Sequence, residues 1–159
     1  MQVRIIAVGK IKERYLSDAI AEYEKRLAPY LKLSILEITE EKRGAHFSGG
    51  QEQVIKNHEG NRILSAIPEG SYVIALDISG KQMSSEVFAA RIKELQLAGT
   101  GLIVVIIGGD LGLSDDVIAR ASLRLSLSPM TFTHQMVRLI LLEQIYRACK
   151  INSNEPYHK

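Results

Sequence analysis

Residues 126–138, which read SLSPMTFTHQMVR, combine the side-chain types that a ligand site needs. Short polar side chains surround a proline, and a segment of this kind wraps a ligand more readily than it packs into a core. His134 and Arg138 lie four residues apart at the start of a helical pattern, so they share one face of that helix. An imidazole and a guanidinium placed together in this way favour a functional site. The alternative is that His134 only caps the helix or packs against it.

Glycines cluster in a second candidate segment, IIGGDLG at residues 106–112. The segment ends an apolar run that predicts a buried strand. So many glycines indicate either a tight turn or a ligand that lies close to the main chain. The spacing is not G-x-G-x-x-G, and no Lys-Ser/Thr pair follows as in a Walker A loop. A phosphate cradle is therefore not supported, and a flat, largely neutral ligand such as a nucleoside fits the pattern better.

Positive charge collects towards the C-terminal end of the sequence. Residues 117–159 hold six Lys or Arg side chains and two carboxylates, a net charge of +4, whereas the whole chain carries +2. This excess predicts an anionic partner, with a solvated face as the equal alternative. The final residues, EPYHK, add Tyr157, which could stack on a base, and His158, which could titrate. A frayed tail is the alternative there.

The composition sets the class of protein. With 159 residues, 46% of them hydrophobic and 24% charged, the chain is expected to form a single domain over residues 1–159. The longest apolar run is too short to span a bilayer, and the N-terminal residues do not resemble a signal peptide. Cys149 is the single cysteine, which favours a reducing cytoplasm. Neither a membrane nor a metal is expected as a partner.

Strand patterns and helix patterns alternate along the chain. Five apolar segments predict strands: VRIIAV, LSILEI, SYVIALDI, LIVVII and LRLSLS. Amphipathic segments predict helices over residues 13–27, 52–66, 84–99, 114–122 and 132–150, and RGAHFSGGQ predicts a loop. Apolar strands that alternate with helices predict an α/β fold with a mostly parallel sheet and helices on both faces. Because ligands bind beyond the carboxyl ends of such strands, LDISGK, GGDLG and SPMTFTH are expected to form one pocket.

The final helix is apolar on two sides. One predicted face carries Val137, Ile140, Leu141, Ile145 and Ala148, and the opposite face carries Leu139, Leu142 and Tyr146. A helix of this kind is usually buried on both sides. One side can pack on the sheet. The other side predicts either a second copy of the chain or a further layer within one subunit.

Several of these motifs together resemble a known group of enzymes. In order, LDISGK, IIGGDLG, SLSPMTFTHQMVR, the helix with EQIYRA and the terminal YHK resemble the SPOUT-superfamily methyltransferases. More narrowly, they resemble the ribosomal RNA large subunit methyltransferase H family, which methylates N3 of a pseudouridine in 23S rRNA. The resemblance covers essentially the whole chain. It implies an S-adenosylmethionine-dependent enzyme that acts on ribosomal RNA, the large ribosomal subunit or the assembled ribosome.

The resemblance also implies a fold and a cofactor site. The family fold is an α/β trefoil knot, in which the C-terminal segment threads through a loop. The enzymes are homodimers in which the partner's tail completes each site. S-adenosyl-L-methionine would bind in the knot, against positions matching Leu76, Gly108, Gly109, Leu127, Ser128, Pro129, Met130, Thr131 and Phe132.

Catalytic roles follow from the same resemblance. The cofactor carries the reactive methyl group, so the chain must align the base nitrogen and help to remove its proton. Arg138 could stabilise the developing negative charge, and either His134 or His158 could accept the proton. Tyr157 could hold the nucleotide by stacking. Leu111 stands where many relatives have a polar residue, so it is given no chemistry and Asp110 is given little weight.

Two other functions are compatible with the same residues. One is a SPOUT-like methyltransferase that acts on tRNA or a free nucleoside with the same cofactor. The other is a non-catalytic, ribosome-associated module that binds RNA through its basic C-terminal part.

Overall fold

The computed structural model describes residues 1–42 and 49–157 of the chain. Strands and helices alternate throughout these residues, as the sequence patterns predict. In chain order they are β1 (Gln2–Val8), α1 (Arg14–Leu27), β2 (Lys32–Ile38), α2 (Gly49–Ala66), β3 (Tyr72–Gln82), α3 (Ser85–Leu97), β4 (Leu102–Ile107), α4 (Asp115–Arg120), β5 (Leu123–Ser126) and α5 (His134–Asn152).

The five strands form one sheet in the order β2-β1-β4-β3-β5, and every neighbouring pair is parallel. The predicted α/β class with a parallel sheet is therefore confirmed. All the carboxyl ends lie along one edge of the sheet, so the segments that follow β3, β4 and β5 meet there.

Helices cover both faces of the sheet. In β4, Ile103, Val105 and Ile107 pack into a core with α1, α3 and α5. Val104 and Ile106 point to the opposite face, into a smaller core with α2 and α4. Both faces of this strand are apolar because both are buried, which explains its unbroken apolar run.

Some boundaries differ from the prediction. Helix α2 begins at Gly49, so part of the predicted loop over 43–51 is helical, and residues 43–48 lie outside the described residues. Strand β5 ends at Ser126, two residues early, because Ser126 and its successors form a local hydrogen-bonded turn. Helix α5 begins at His134 because the Thr133 hydroxyl accepts a hydrogen bond from the Met136 N–H, at 3.3 Å.

Strand β3 makes two separate contacts with β5. Leu76 lies opposite Leu125, and after an irregular stretch Lys81 also lies opposite Leu125. The chain therefore leaves β5 and returns to it. Gly80 lies in this excursion, and a Cβ atom on it would be 2.8 Å from the backbone of Arg124 and of Leu125. Only a residue without a side chain allows so close an approach.

Helix α5 is covered on both sides within one subunit. Leu141 and Leu142 are fully buried, and the helix packs against α1 and α3 as well as the sheet. Tyr146, on the second predicted apolar face, contacts the rings of Tyr23 and Tyr30 on and after α1. The two-sided pattern thus has an explanation within one chain, which is the second of the two alternatives.

Candidate active site

A cavity of about 630 Å³ opens at the carboxyl ends of β3, β4 and β5. Three loops form its walls, one after each strand, as the sheet topology predicts. Its lining residues come from positions 76–78, 107–113, 125–128 and 130–134, together with Val137. The described cavity has the size of an ordinary small-molecule site.

The structure brings together nearly all the residues predicted to bind the cofactor. Those that line the cavity are Leu76, Gly108, Gly109, Leu127, Ser128, Met130, Thr131 and Phe132. Pro129 belongs to the same loop but does not line the cavity. Met130 and Phe132 are 74% and 39% exposed, so their apolar side chains are accessible to a ligand in the cavity.

Short polar side chains shape the loop between β5 and α5. The Ser126 hydroxyl donates to the Ser128 carbonyl at 3.1 Å, and the Met130 N–H donates to the Ser128 hydroxyl at 2.9 Å. These bonds replace the strand pairing that stops at Ser126. They turn the chain across the mouth of the cavity before Thr133 starts α5.

The glycine-rich segment after β4 is a tight turn. The Gly112 N–H donates to the Gly109 carbonyl at 3.0 Å, and Gly112 has a φ of +79°. A Cβ atom on Gly108 would lie 2.9 Å from the Gly112 carbonyl carbon and 3.0 Å from the Leu113 side chain. The turn's own backbone therefore requires glycine at Gly108, which accounts for it without any ligand.

Helix α2 supports this turn with a pair of residues that the sequence analysis did not select. Glu59 is only 3% exposed, and its carboxylate accepts a hydrogen bond from the Glu41 N–H at 2.9 Å. Its other oxygen is 3.3 Å from where a Cβ atom of Gly109 would lie. A Cβ atom on the next residue, Gly60, would lie 2.1 Å from the Ser114 hydroxyl oxygen. The Glu59–Gly60 pair thus packs against both ends of the turn.

A signal for Glu59 was present in the sequence. It lies four residues after Ile55 and four before Ile63, and both isoleucines are buried. A carboxylate in the apolar stripe of a helix costs free energy unless hydrogen bonds satisfy it. Such a position indicates a buried polar contact.

His134 is held at the edge of the cavity. Its Nδ1 lies 2.8 Å from the Asp110 carboxylate, and its side chain is 15% exposed. Gly9 has a φ of +83°, and a Cβ atom there would lie 3.3 Å from Nε2 of the imidazole. Asp110 can therefore hold the ring in one orientation. Asp110 received little weight from the sequence because of the departure at Leu111, and its contact with His134 was not predictable because it joins two separate loops.

Arg138 lies behind the cavity rather than in its wall. The residue is 2% exposed, its Nη1 donates to Glu37 at 2.6 Å, and its Nη2 donates to the Gly9 carbonyl at 3.0 Å. Its buried Nε has no hydrogen-bond partner among the described residues. Arg138 thus joins β1, β2 and α5 below the imidazole of His134.

Tyr157 is distant from the cavity of its own subunit. Its hydroxyl donates to Glu143 at 3.2 Å, its ring meets Tyr146 at 4.9 Å, and the Arg147 guanidinium lies over that ring. Burial is the main reason that the pKa of Tyr157 is raised, so the phenol stays protonated. Arg147 is thirteen residues beyond His134, about 20 Å along α5. His158 lies outside the described residues.

Comparison with known proteins identifies the family. A family model described as "Predicted SPOUT methyltransferase" matches residues 1–158. The chain belongs to the SPOUT methyltransferase family. The family predicted from the motifs is therefore confirmed.

Relatives match this SPOUT methyltransferase from end to end. A protein of Bifidobacterium adolescentis (strain ATCC 15703 / DSM 20083 / NCTC 11814 / E194a) named "Ribosomal RNA large subunit methyltransferase H" is 56% identical over all of both chains. A protein of the same name from Alkaliphilus oremlandii (strain OhILAs) is 54% identical, also over all of both chains. A Methanoregula boonei (strain DSM 21154 / JCM 14090 / 6A8) protein that carries this name provisionally is 68% identical over the same extent.

Solved structures share the fold at low sequence identity. A provisionally assigned methylase-family protein from Haemophilus influenzae Rd KW20 superposes with a TM-score of 0.57 at 13% identity, over 99% of this chain and 70% of that one. A provisionally assigned methyltransferase from Bordetella pertussis Tohama I gives a TM-score of 0.56 at 11% identity, over 93% and 96%. These likenesses support the α/β fold of the SPOUT methyltransferase.

The charges around the cavity of this SPOUT methyltransferase limit what it can bind. Asp77, Asp110 and His134 are its only ionisable lining residues among those described, and no Lys or Arg is one of them. Arg124, nearby on β5, donates to Asp77 at 3.0 Å. The described lining therefore offers a phosphate no Lys or Arg partner, whereas a nucleoside without a phosphate needs none.

Two other kinds of site are absent from the described residues of the SPOUT methyltransferase. Within 1–42 and 49–157, no helix combines the length and apolar character needed to cross a membrane. The same residues bring together no group of three or more His, Cys, Asp or Glu that could hold a metal ion.

Proposed function

We propose that this SPOUT methyltransferase transfers a methyl group from S-adenosyl-L-methionine to N3 of a pseudouridine in 23S ribosomal RNA. The proposed substrate is the assembled ribosome in the cytoplasm, and the proposed enzyme is a homodimer of single-domain chains of residues 1–159. The observation that carries the proposal is the end-to-end identity of 54% and more with relatives named for ribosomal RNA methylation. The cavity at the strand ends supports it.

The cavity fits the proposed cofactor on chemical grounds. The cofactor has a neutral adenosine, a cationic sulfonium and no phosphate, and the described lining residues include two carboxylates and no Lys or Arg. Exposed apolar side chains such as Met130 and Phe132 suit the adenine, and backbone groups of the three loops can read its edges. When bound, the cofactor supplies an electrophilic methyl group.

The chain's own residues orient the base and move its proton. His134, held by Asp110, is one candidate for the group that accepts the N3 proton, and His158 is the other. Arg138 is engaged with Glu37 and Gly9, so a direct contact with the base would require that ion pair to break. We therefore assign Arg138 to holding the first turn of α5 in place, with its charge acting on the base from a distance.

The proposed knot and dimer have separate support. Leu125 pairs with both Leu76 and Lys81, so the excursion of β3 passes closely around β5 before the chain continues into α5. This is the local geometry expected where a chain threads through a loop. For the dimer, the support is that Tyr157 packs far from the cavity of its own subunit. A tail that acts in catalysis would then serve the partner's cavity.

Mapping of methyl groups in RNA tests the proposed reaction. We expect rRNA from a strain that lacks the protein to lose one N3-methylpseudouridine, and the purified protein with S-adenosylmethionine to restore it on ribosomes. Loss of a tRNA methyl group instead would indicate the tRNA enzyme. Intact methylation together with no cofactor binding in calorimetry would indicate the non-catalytic module.

The cofactor site predicts a difference between two exposed apolar residues. Met130 is 74% exposed in the cavity wall, and Leu97 is 79% exposed at the far end of α3. Because Met130 would be covered by the cofactor, Met130→Ala should raise the Kd for S-adenosylmethionine by about 10-fold. Leu97→Ala should leave it unchanged in the same calorimetric titration. Equal Kd values for the two variants would contradict this cofactor site.

A further inference from the structure

A cluster of exposed cations lies at the start of α1, outside the cavity. Lys10 and Lys12 follow β1, Arg14 opens α1, and the next residue, Tyr15, is 64% exposed. These four residues are called the β1–α1 patch. Glu13 lies in the same segment, so residues 10–15 hold three cations and one carboxylate and carry an excess of two positive charges.

The charges of the β1–α1 patch are not neutralised by neighbours. Lys10 and Lys12 form no ion pair with any described carboxylate. Arg14 lies 3.8 Å from Asp18, but both side chains are largely exposed, and such a pair contributes little. The patch therefore presents free positive charge to solvent.

The basic C-terminal part of the chain differs in this respect. Most of its cations are engaged within the fold, by pairing of Arg124 with Asp77, Arg138 with Glu37, Arg147 with Glu143 and Lys150 with Glu155. The positive charges of residues 117–159 are therefore largely neutralised by ion pairs within the fold. An anionic partner would find freer cations in the β1–α1 patch.

The β1–α1 patch adjoins the active site through its backbone. The Lys12 N–H donates to the Gln135 side chain at 3.0 Å, which ties the segment to the first turn of α5. Gly9, directly before Lys10, packs against the imidazole of His134. Ile11 packs against the main core and fixes the segment between these contacts. The exposed cations therefore stand next to the side chain that borders the cavity.

We infer that the β1–α1 patch binds the RNA strand beside the nucleotide that enters the cavity. Lys10, Lys12 and Arg14 contact backbone phosphates, and Tyr15 stacks on an unpaired base. Phosphate contacts position a nucleic acid without reading its sequence, and an exposed aromatic ring among cations is a typical platform for single-stranded RNA. The described cavity lining includes no Lys or Arg that could bind a phosphate, so the phosphates of the strand need cations outside the cavity. This inference rests on the proposed methylation of RNA.

Neutralisation of the patch tests the inference. The variant carries Lys10→Gln, Lys12→Gln and Arg14→Gln. Its matched control carries Lys25→Gln, Lys32→Gln and Lys93→Gln, which remove the same charge from exposed positions towards the opposite edge of the sheet. Binding to purified ribosomes is measured by co-sedimentation over a range of KCl concentrations, and S-adenosylmethionine binding is measured by calorimetry. Methyl transfer is measured in parallel.

The patch variant should bind ribosomes at least 10-fold more weakly than wild type, with cofactor binding unchanged. Each lost phosphate contact should lower the slope of log K against log salt by about 0.7, so the slope should fall by about 2. In the transfer assay KM should rise and kcat should stay within about twofold. The control should match wild type in ribosome affinity, salt slope, cofactor binding, KM and kcat.

Equal affinity and equal salt slope for the patch variant and the control would overturn the inference. Tyr15 is tested separately, because Tyr15→Phe should keep ribosome binding whereas Tyr15→Leu should weaken it. A wild-type protein that binds ribosomes through the patch but transfers no methyl group would refute the proposed function and leave the patch standing. If wild-type protein methylates ribosomes and the patch variant binds them as tightly as wild type does, the inference about the patch is wrong and the proposed function stands.

Discussion

The Gly80→Val variant is expected to lose more than about 3 kcal/mol of unfolding free energy, or to fail to fold. A Cβ atom at this position would lie 2.8 Å from the backbone of Arg124 and Leu125, and 2.9 Å from the Arg124 carbonyl oxygen. Backbone atoms of a paired strand cannot move aside as a flexible side chain would. The excursion of β3 around β5 would have to open, and Leu76 and Leu125 would move with it.

Gly101→Val is the matched control. Gly101 has nothing within 4 Å of its Cβ position and does not have a positive φ. Its free energy of unfolding in urea should stay within about 0.5 kcal/mol of wild type. If Gly80→Val does not fold, Gly80→Ala introduces a smaller clash at the same place. Its free energy of unfolding should lie below that of Gly101→Val. Equal stability of the Gly80 and Gly101 variants would show that β3 does not pass so closely around β5 in solution.

The sequence predicts the central strands well because they are buried on both faces. The apolar run Leu102 to Ile107 predicts a central strand, and it pairs on both sides, with β1 and β3. Helix starts were predictable where a hydroxyl caps the helix, as Ser84 does by accepting from the Val87 N–H. Local chemistry and tertiary structure agree at these points.

The second half of β3 was not predictable from local pattern. Residues 79–82 read SGKQ, which is typical of a turn, and they become strand only because Lys81 and Gln82 pair with Leu125 and Ser126. This pairing depends on residues more than forty positions away. Tertiary context decides such short polar strands.

Some residues of the site were likewise predictable from the sequence, and others were not. The loops that line the cavity were predictable, because parallel strands bring their carboxyl ends together whatever the loop sequences are. The supports of the site were not, since Glu37 and Glu59 belong to distant elements and meet Arg138 and the glycine turn only in the folded chain. Gly108 has a structural reason in addition to the predicted contact with the cofactor. Gly108 is required by the turn's own backbone.

Removal of the last two residues should abolish most of the methyl transfer while leaving the fold intact. Truncation after Tyr157 deletes His158 and Lys159 and keeps the contacts of Tyr157 with Glu143, Tyr146 and Arg147. If His158 moves the proton or positions the nucleotide, kcat should fall by a factor of about 10² or more. Cofactor binding in calorimetry and the urea midpoint should be unchanged. A truncated enzyme with full activity would exclude a catalytic role for His158.

A mixed dimer shows which subunit the tail serves. One subunit carries His134→Ala with an intact tail, and the other has His134 and lacks His158 and Lys159. His134 is preferred to Arg138 for this purpose, because loss of the buried Arg138 would leave Glu37 without its partner and destabilise the fold. Two affinity tags allow the mixed dimers to be purified and their composition verified.

A tail that acts across the dimer gives one site with both defects and one site with neither. Because Tyr157 packs against residues about 13 to 20 Å along α5 from His134, the partner's cavity is the site that we expect the tail to serve. Activity of the mixed dimer should then return to about half of wild type, far above either parent variant. If the tail served its own subunit, every site would keep one defect and activity would stay at the level of the parents. Sedimentation of the wild-type enzyme as a monomer at micromolar concentration would contradict the dimer itself.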